Sequence, residues 1–292
     1  MKWPESLIKD IAARRVVLFI GAGVSMNSLA LDGRTRPKSW PEFLRAGAKR
    51  LGSPRKKLVV QVGELIARSD LLTACEVIKN ALGRQAFVEF MQEEFQAPGY
   101  RYAPIHESLW GLDLRITVTP NIDAIYDNFV AERGAGTVTV KTYRDADVAE
   151  AIRRHSPVLI KSHGSIGSPN ALIFTRSDYA RARNEHREFY ELMYSLLSTH
   201  TFLFIGCGLD DPDIRYLLED YKYRNSFTQT HFFSTPKGRY VSEIEKVYAE
   251  SLNLEFLHYS DSDNHAELGV GLVELVGKVE LVRQELGRRN GW

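Results

Sequence analysis

Five consecutive apolar residues, Val16-Val17-Leu18-Phe19-Ile20, run directly into Gly21-Ala22-Gly23-Val24-Ser25. The run is too short for a helix and has no polar face. It predicts a strand buried on both sides, as in a parallel sheet. Such a sheet needs crossover connections and helices on both faces, which restricts the chain to an α/β architecture. Glycine at 21 and 23 lets the backbone turn tightly and lie close to whatever faces it. N–H groups in such a turn favour a phosphate or pyrophosphate. The last glycine of a GxGxxG fingerprint is replaced by Met26, so this stretch alone fits a nucleotide cradle and a structural bend equally.

The rest of the chain supplies the partners that a buried parallel strand requires. Residues 4–14 read as a short helix leading into it. Further strands are expected at Ile116–Thr119, Thr137–Val140, Val158–Lys161, Thr201–Ile205, His231–Ser234 and Leu254–Leu257, with a short extra one at Leu172–Phe174. Helices are expected at about 123–131, 147–154, 184–199, 213–223, 240–251 and 264–287, with Thr175 or Ser177 as a cap. Between Trp40 and Leu112 the apolar residues recur at helical spacing with no strand among them, in stripes such as Phe87, Phe90, Met91 and Phe95. About four helices in a row break the βαβ rhythm. The expected fold is a Rossmann-like, doubly wound parallel sheet in one domain over 1–292, with a helical insertion or subdomain at about 40–112.

Composition narrows the class of function. Of the 292 residues 44% are hydrophobic and 26% charged, with a formal net charge of +1, so no phosphate-tracking nucleic-acid surface is predicted. Cys75 and Cys207 are the two cysteines, too few for a four-cysteine zinc site, and both read as small buried hydrophobes in a reducing compartment. No stretch approaches the roughly 18 apolar residues of a membrane span, and the first residues lack a signal-peptide run. The expected location is the cytoplasm.

In open α/β sheets, ligands sit beyond the carboxyl ends of the strands. Four predicted strand ends carry polar or glycine-rich residues: Gly21–Ser25, Thr119–Asp123, Ser162-His163-Gly164 and Gly206–Asp210. Each has an ordinary explanation alone: an Asn or Asp helix cap, a histidine in a turn, a tightened loop. On one rim they would assemble two glycine loops, an amide, a carboxylate and an imidazole.

The set Gly-Ala-Gly-Val-Ser, Thr-x-Asn-Ile-Asp, Lys-Ser-His-Gly and Phe-Ile-Gly-x-Gly-Leu-x-Asp-Pro-Asp, in this order over about residues 15–225, resembles the sirtuin superfamily. The helical block and the last motif look more like the bacterial sirtuin-like proteins of anti-phage defence than like protein deacetylases. The chain departs from the deacetylases in lacking the zinc module and the Pro-Asp-Phe-Arg segment. Pro120 and Gly208 replace a usual Gln and a frequent hydroxyl residue.

The resemblance implies NAD as substrate, without zinc. By that analogy Asn121 positions the ribose or an attacking water, Ile122 and Asp123 lie against the carboxamide, and His163 is the general base, with an ordinary pKa near 6.5. Gly21, Ala22, Gly23 and Ser25 would cradle the pyrophosphate, and Gly206, Gly208 and, more weakly, Asp210 or Asp211 the adenosine side. The implied activity is an NAD glycohydrolase that releases nicotinamide and ADP-ribose and depletes NAD on infection. A catalytically silent NAD or ADP-ribose binding module, and a zinc-free deacylase or ADP-ribosyltransferase, stay open beside it. The implied partners are further copies of the chain and a separate regulator, such as a translocase-type ATPase or an Argonaute-like protein. The exposed faces of the helical block are the expected contact surface.

Overall fold

The computed structural model describes residues 1–154, 156–209, 211–224 and 229–290. Helix α1 (Glu5–Ala12) leads into β1 (Val16–Ile20), which is followed by the single turn α2 (Ala22–Ser25). Then come α3 (Trp40–Arg50), α4 (Lys56–Ala67), α5 (Leu71–Leu82), α6 (Arg84–Phe95) and α7 (Pro104–Gly111). The alternating part continues with β2 (Ile116–Thr119), α8 (Ile125–Arg133), β3 (Thr139–Thr142), α9 (Val148–Arg153) and β4 (Val158–Lys161). It closes with α10 (Arg176–Glu185), α11 (Arg187–Thr199), β5 (Thr201–Ile205), α12 (Pro212–Arg224), β6 (His231–Pro236), α13 (Ser242–Leu252), β7 (Leu254–Tyr259) and α14 (Ser262–Asn290).

The seven strands form one sheet in the order β3-β4-β2-β1-β5-β6-β7, and every pairing is parallel. This is the doubly wound α/β fold that the sequence predicts. β1 is buried along its whole length because it is central. Its side chains alternate between layers: Val16, Leu18 and Ile20 pack with α1, α7, α8 and α14, and Val17 and Phe19 pack with α10, α11 and α12. From β1 the chain moves to β2 and then to the edge strand β3, places β4 between those two, and returns to lay β5 on the other side of β1. The strand order therefore reverses between β1 and β5, and a crevice opens at their carboxyl ends.

The helices α3 to α6 enclose a third apolar cluster, in which Phe43, Leu44, Cys75, Ile78 and Phe90 pack with Ile122, Ile166, Leu172 and Phe174. The last four come from loops beyond β2 and β4, so the helical block sits over the carboxyl edge of the sheet. α3 starts with Ser39 held by Glu42, which accepts from its backbone N–H and its hydroxyl. A fifth helix in the 40–112 interval, α7, packs on α14 instead of joining the block.

Several boundaries differ from the sequence expectation. Residues 172–174 form no strand: their apolar side chains join the cores, and Ile173 N–H donates to the His163 carbonyl at 3.1 Å. The helix expected over 184–199 is two helices meeting at His186, with α10 capped by Thr175. β3 starts two residues late, because Thr137 donates its N–H and its hydroxyl to the Gly134 carbonyl and so belongs to the preceding turn.

Candidate functional site

The glycine loops after β1 and β5 meet back to back. Gly21 N–H donates to the Ile205 carbonyl and Gly23 N–H to the Gly206 carbonyl, both at 2.9 Å. A Cβ on Gly21 would lie 2.4 Å from the Gly206 oxygen, and one on Gly206 would lie 2.6 Å from Val24 N. Gly206 also has φ +67°, a conformation that suits glycine. The glycines are thus required first by loop-to-loop contact. The amides of Gly21 and Gly23 point at protein rather than outward, contrary to the expectation for this turn.

A cavity of about 360 Å³ opens beside this junction. On the sheet side it is lined by Gly21, Ala22, Asn121, Ile122, Asp123, His163, Gly206 and Gly208. On the helical-block side it is walled by Trp40, Phe43, Leu71, Leu72, Phe95 and Phe174. Gly23 and Ser25 lie behind the lining, and Asp210 lies outside the described residues. Most of the predicted site residues therefore share one concave space, with polar groups facing an aromatic wall.

Buried Ser25 links two of those polar groups. Its hydroxyl donates to Asp123 Oδ2 at 2.9 Å and accepts from Asn121 Nδ2 at 3.1 Å. Asp123 Oδ1 accepts from Ile125 N–H at 3.0 Å, and Asn121 N–H donates to the hydroxyl of Thr119 at 3.1 Å. Thr119 in turn donates to the Ile20 carbonyl at 2.7 Å, tying the ends of β1 and β2 together. The 119–123 loop is held from below by Lys161, whose buried ammonium donates to the Asp123 carbonyl and pairs with Asp127 at 2.7 and 2.9 Å. Burial raises the pKa of Asp127 above the usual carboxylate range, although Lys161 works in the opposite direction.

His163 faces two carboxylates brought from the start of α12. Its Nε2 lies 3.5 Å from Asp213 Oδ2 and 3.8 Å from Asp211 Oδ2. Its ring stands edge-on to Tyr179, with centroids 5.1 Å apart. Burial disfavours the imidazolium, but Asp211 and Asp213 outweigh it, so the pKa of His163 is raised rather than ordinary. Asp213 is held by Arg183 Nε at 2.7 Å and the Tyr190 hydroxyl at 2.9 Å. Despite its burial, His163 and Arg183 lower its pKa. Asp211 is raised, mainly by burial. It caps α12, accepting from Asp213 N–H at 2.8 Å.

Asp211, weighed from sequence for the adenosine side, thus stands against the histidine. Asp213, Arg183, Tyr190 and Lys161 join the site in the structure without being expected there from sequence. The Asp-Asp-Pro-Asp run at 210–213 was the available signal, since acids around a helix start present two carboxylates to one neighbour. Among the described residues no group of three or more His, Cys, Asp or Glu is placed to hold a metal ion. No helix among them is long and apolar enough to cross a membrane.

Residues 115–257 match the SIR2-like domain model, a span that holds Asn121, Asp123, His163, Asp211 and Asp213. The NAD(+) hydrolase ThsA of Enterococcus faecium is 26% identical over 225 residues, covering 76% of this chain and 42% of that protein. The defense-associated sirtuin 2 of Bacillus subtilis is 26% identical over 248 residues, covering 83% and 23%. ThsA of Bacillus cereus (strain MSX-D12) is 20% identical over 261 residues, covering 88% and 51%. The chain spans less than half the length of the first two of these relatives and about half of the third.

Proposed function

From a chain that carries a SIR2-like domain and is similar to defence-associated sirtuins, we propose an NAD glycohydrolase that depletes NAD in anti-phage defence. The observation that carries this reading is the single cavity at the strand-order reversal, where Asn121, Asp123 and His163 converge opposite an aromatic wall. Breaking the bond between nicotinamide and ribose C1′ releases neutral nicotinamide and leaves an oxocarbenium-like centre. The site must orient the dinucleotide, stabilise that charge and deliver water.

In this reading Asp123 and Ile122 hold the carboxamide end. Asn121, with its amide N–H₂ committed to Ser25, presents its carbonyl oxygen to the ribose or the attacking water. The pyrophosphate lies along Gly21 and Ala22, and the adenosine runs toward Gly206 and Gly208. Gly23 and Ser25 act from behind, by shaping the loop and holding Asn121 and Asp123. His163, with Nε2 directed at Asp211 and Asp213, takes the proton of the attacking water on Nδ1 as the C1′–O bond forms. The products are nicotinamide and ADP-ribose, and no zinc takes part.

The wider reading extends to cytoplasmic location, one catalytic domain with α3 to α6 as its insertion, self-association, and control by a separate partner. The name of the Bacillus subtilis relative, a defense-associated sirtuin, supports the defence setting. The test is NAD consumption by the purified chain beside Asn121→Ala and His163→Ala. Loss of turnover in both, with melting temperatures retained, supports the assignment. Undiminished hydrolysis in both removes it.

A further inference from the structure

A second cavity, of about 420 Å³, lies on the other side of Phe174, between α5, α6 and the 169–181 segment. Its size falls within the range of about 300–1,000 Å³ common for small-molecule sites. Phe87, Met91, Leu172 and Phe174 give it an apolar floor. Lys79, Arg84 and Arg181 stand among its lining residues, with Asp178 as the one acid.

Those charges do not cancel. Lys79 pairs with Asp178 at 2.9 Å, and Asp178 also accepts from Thr175 N–H in the α10 cap. Among the described residues neither Arg84 nor Arg181 has a carboxylate ion-pair partner. Arg84 is oriented by its Nε, which donates to Asn170 Oδ1 at 3.0 Å, so its terminal N–H groups stay open for a bidentate contact. An apolar floor with aromatic rings, under two unpaired guanidiniums, is complementary to a flat ring that carries a charged oxyanion.

We propose that this cavity binds a nucleoside monophosphate, with the base against Phe87 and Phe174 and the phosphate between Arg84 and Arg181. The site is separate from the NAD cavity but shares the Phe174 wall with it. It also borders α10, which carries the Tyr179 and Arg183 that flank His163 and Asp213. The binding claim does not depend on the hydrolase reading.

The test is calorimetric titration of the full chain with AMP. Saturable AMP binding, weakened about tenfold or more in Arg84→Glu and in Arg181→Glu, is the expected result. Both positions are exposed, and unchanged melting temperatures verify that the variants are folded. Arg84→Gln, which removes the charge without reversing it, should weaken binding in the same direction. AMP binding equal to wild type in both charge-reversed variants, or no saturable AMP binding to wild type, overturns the proposal. Inorganic phosphate binding as tightly as AMP overturns the nucleoside component, and adenosine binding as tightly overturns the anion component.

Discussion

Replacing Lys161 with methionine separates the two tasks of the site's floor. The Lys161 side chain is 1% exposed and that of Asp127 16%, so the pair is largely removed from water. Removing one member of such a pair leaves the other buried and uncompensated, at a cost of about 3–5 kcal/mol. With a chain of this size losing roughly 2–4 °C per kcal/mol, Lys161→Met should melt on the order of 10 °C lower. The deficit depends on pH with a definite sign. The pKa of Asp127 is already raised by burial, and loss of Lys161 raises it further. The variant is therefore least impaired where Asp127 is protonated, and the deficit grows as pH rises through the folded pKa.

The double variant Lys161→Met/Asp127→Leu removes both charges and should recover most of the stability. It does not restore the donor to the Asp123 carbonyl, so the 119–123 loop stays loosely placed. A misplacement of about 1 Å can cost on the order of 100-fold in rate. The double variant should thus be stable but slow in NAD hydrolysis, followed by thermal denaturation and by chromatography of released nicotinamide. Full turnover in the stable double variant, or a Lys161→Met melting temperature equal to wild type, would show that Lys161 does not position the 119–123 loop through Asp123 and Asp127.

Other consequences follow from the same contacts. The basic form of His163 should appear only above the ordinary histidine range, so the rising limb of kcat/KM lies above about pH 6.5 and moves down in Asp213→Asn. For stability, the contribution of His163 is complete below its unfolded pKa and fades as pH rises through its folded value. That of Asp213 is lost as pH falls through its depressed value, and denaturant titrations across pH resolve the two. Gly206→Ala places a Cβ 2.6 Å from Val24 N at a positive φ, and should lower stability by more than about 1 kcal/mol in denaturant melts. Ser25→Ala, which unties Asn121 from Asp123, should reduce kcat about 10- to 100-fold with little change in melting temperature.

The sheet was readable from the sequence where burial is symmetric. β1 and β5 lie at the centre, so β1 throughout and β5 after Thr201 are apolar without alternation and bounded at once by glycine. Edge strand β3 starts two residues later than its pattern predicts, because its partly exposed side chains impose little register and Thr137 serves the preceding turn. The polar strand ends were legible because polar residues directly after buried strands stand out. The surroundings of His163 were not. Its carboxylates arrive from α12, about 50 residues later, and Arg183 and Tyr190 from two other helices. The cavity's aromatic wall is not distinguishable in sequence from core, because Phe43 and Phe174 serve the core while also lining the cavity.

NAD hydrolysis at this site is tested by product analysis after incubating NAD with the purified chain, wild type beside His163→Ala. Stoichiometric nicotinamide and ADP-ribose from wild type, and neither from a folded His163→Ala, is the predicted result. Equal product from both proteins, or NAD left intact by wild type, would contradict it.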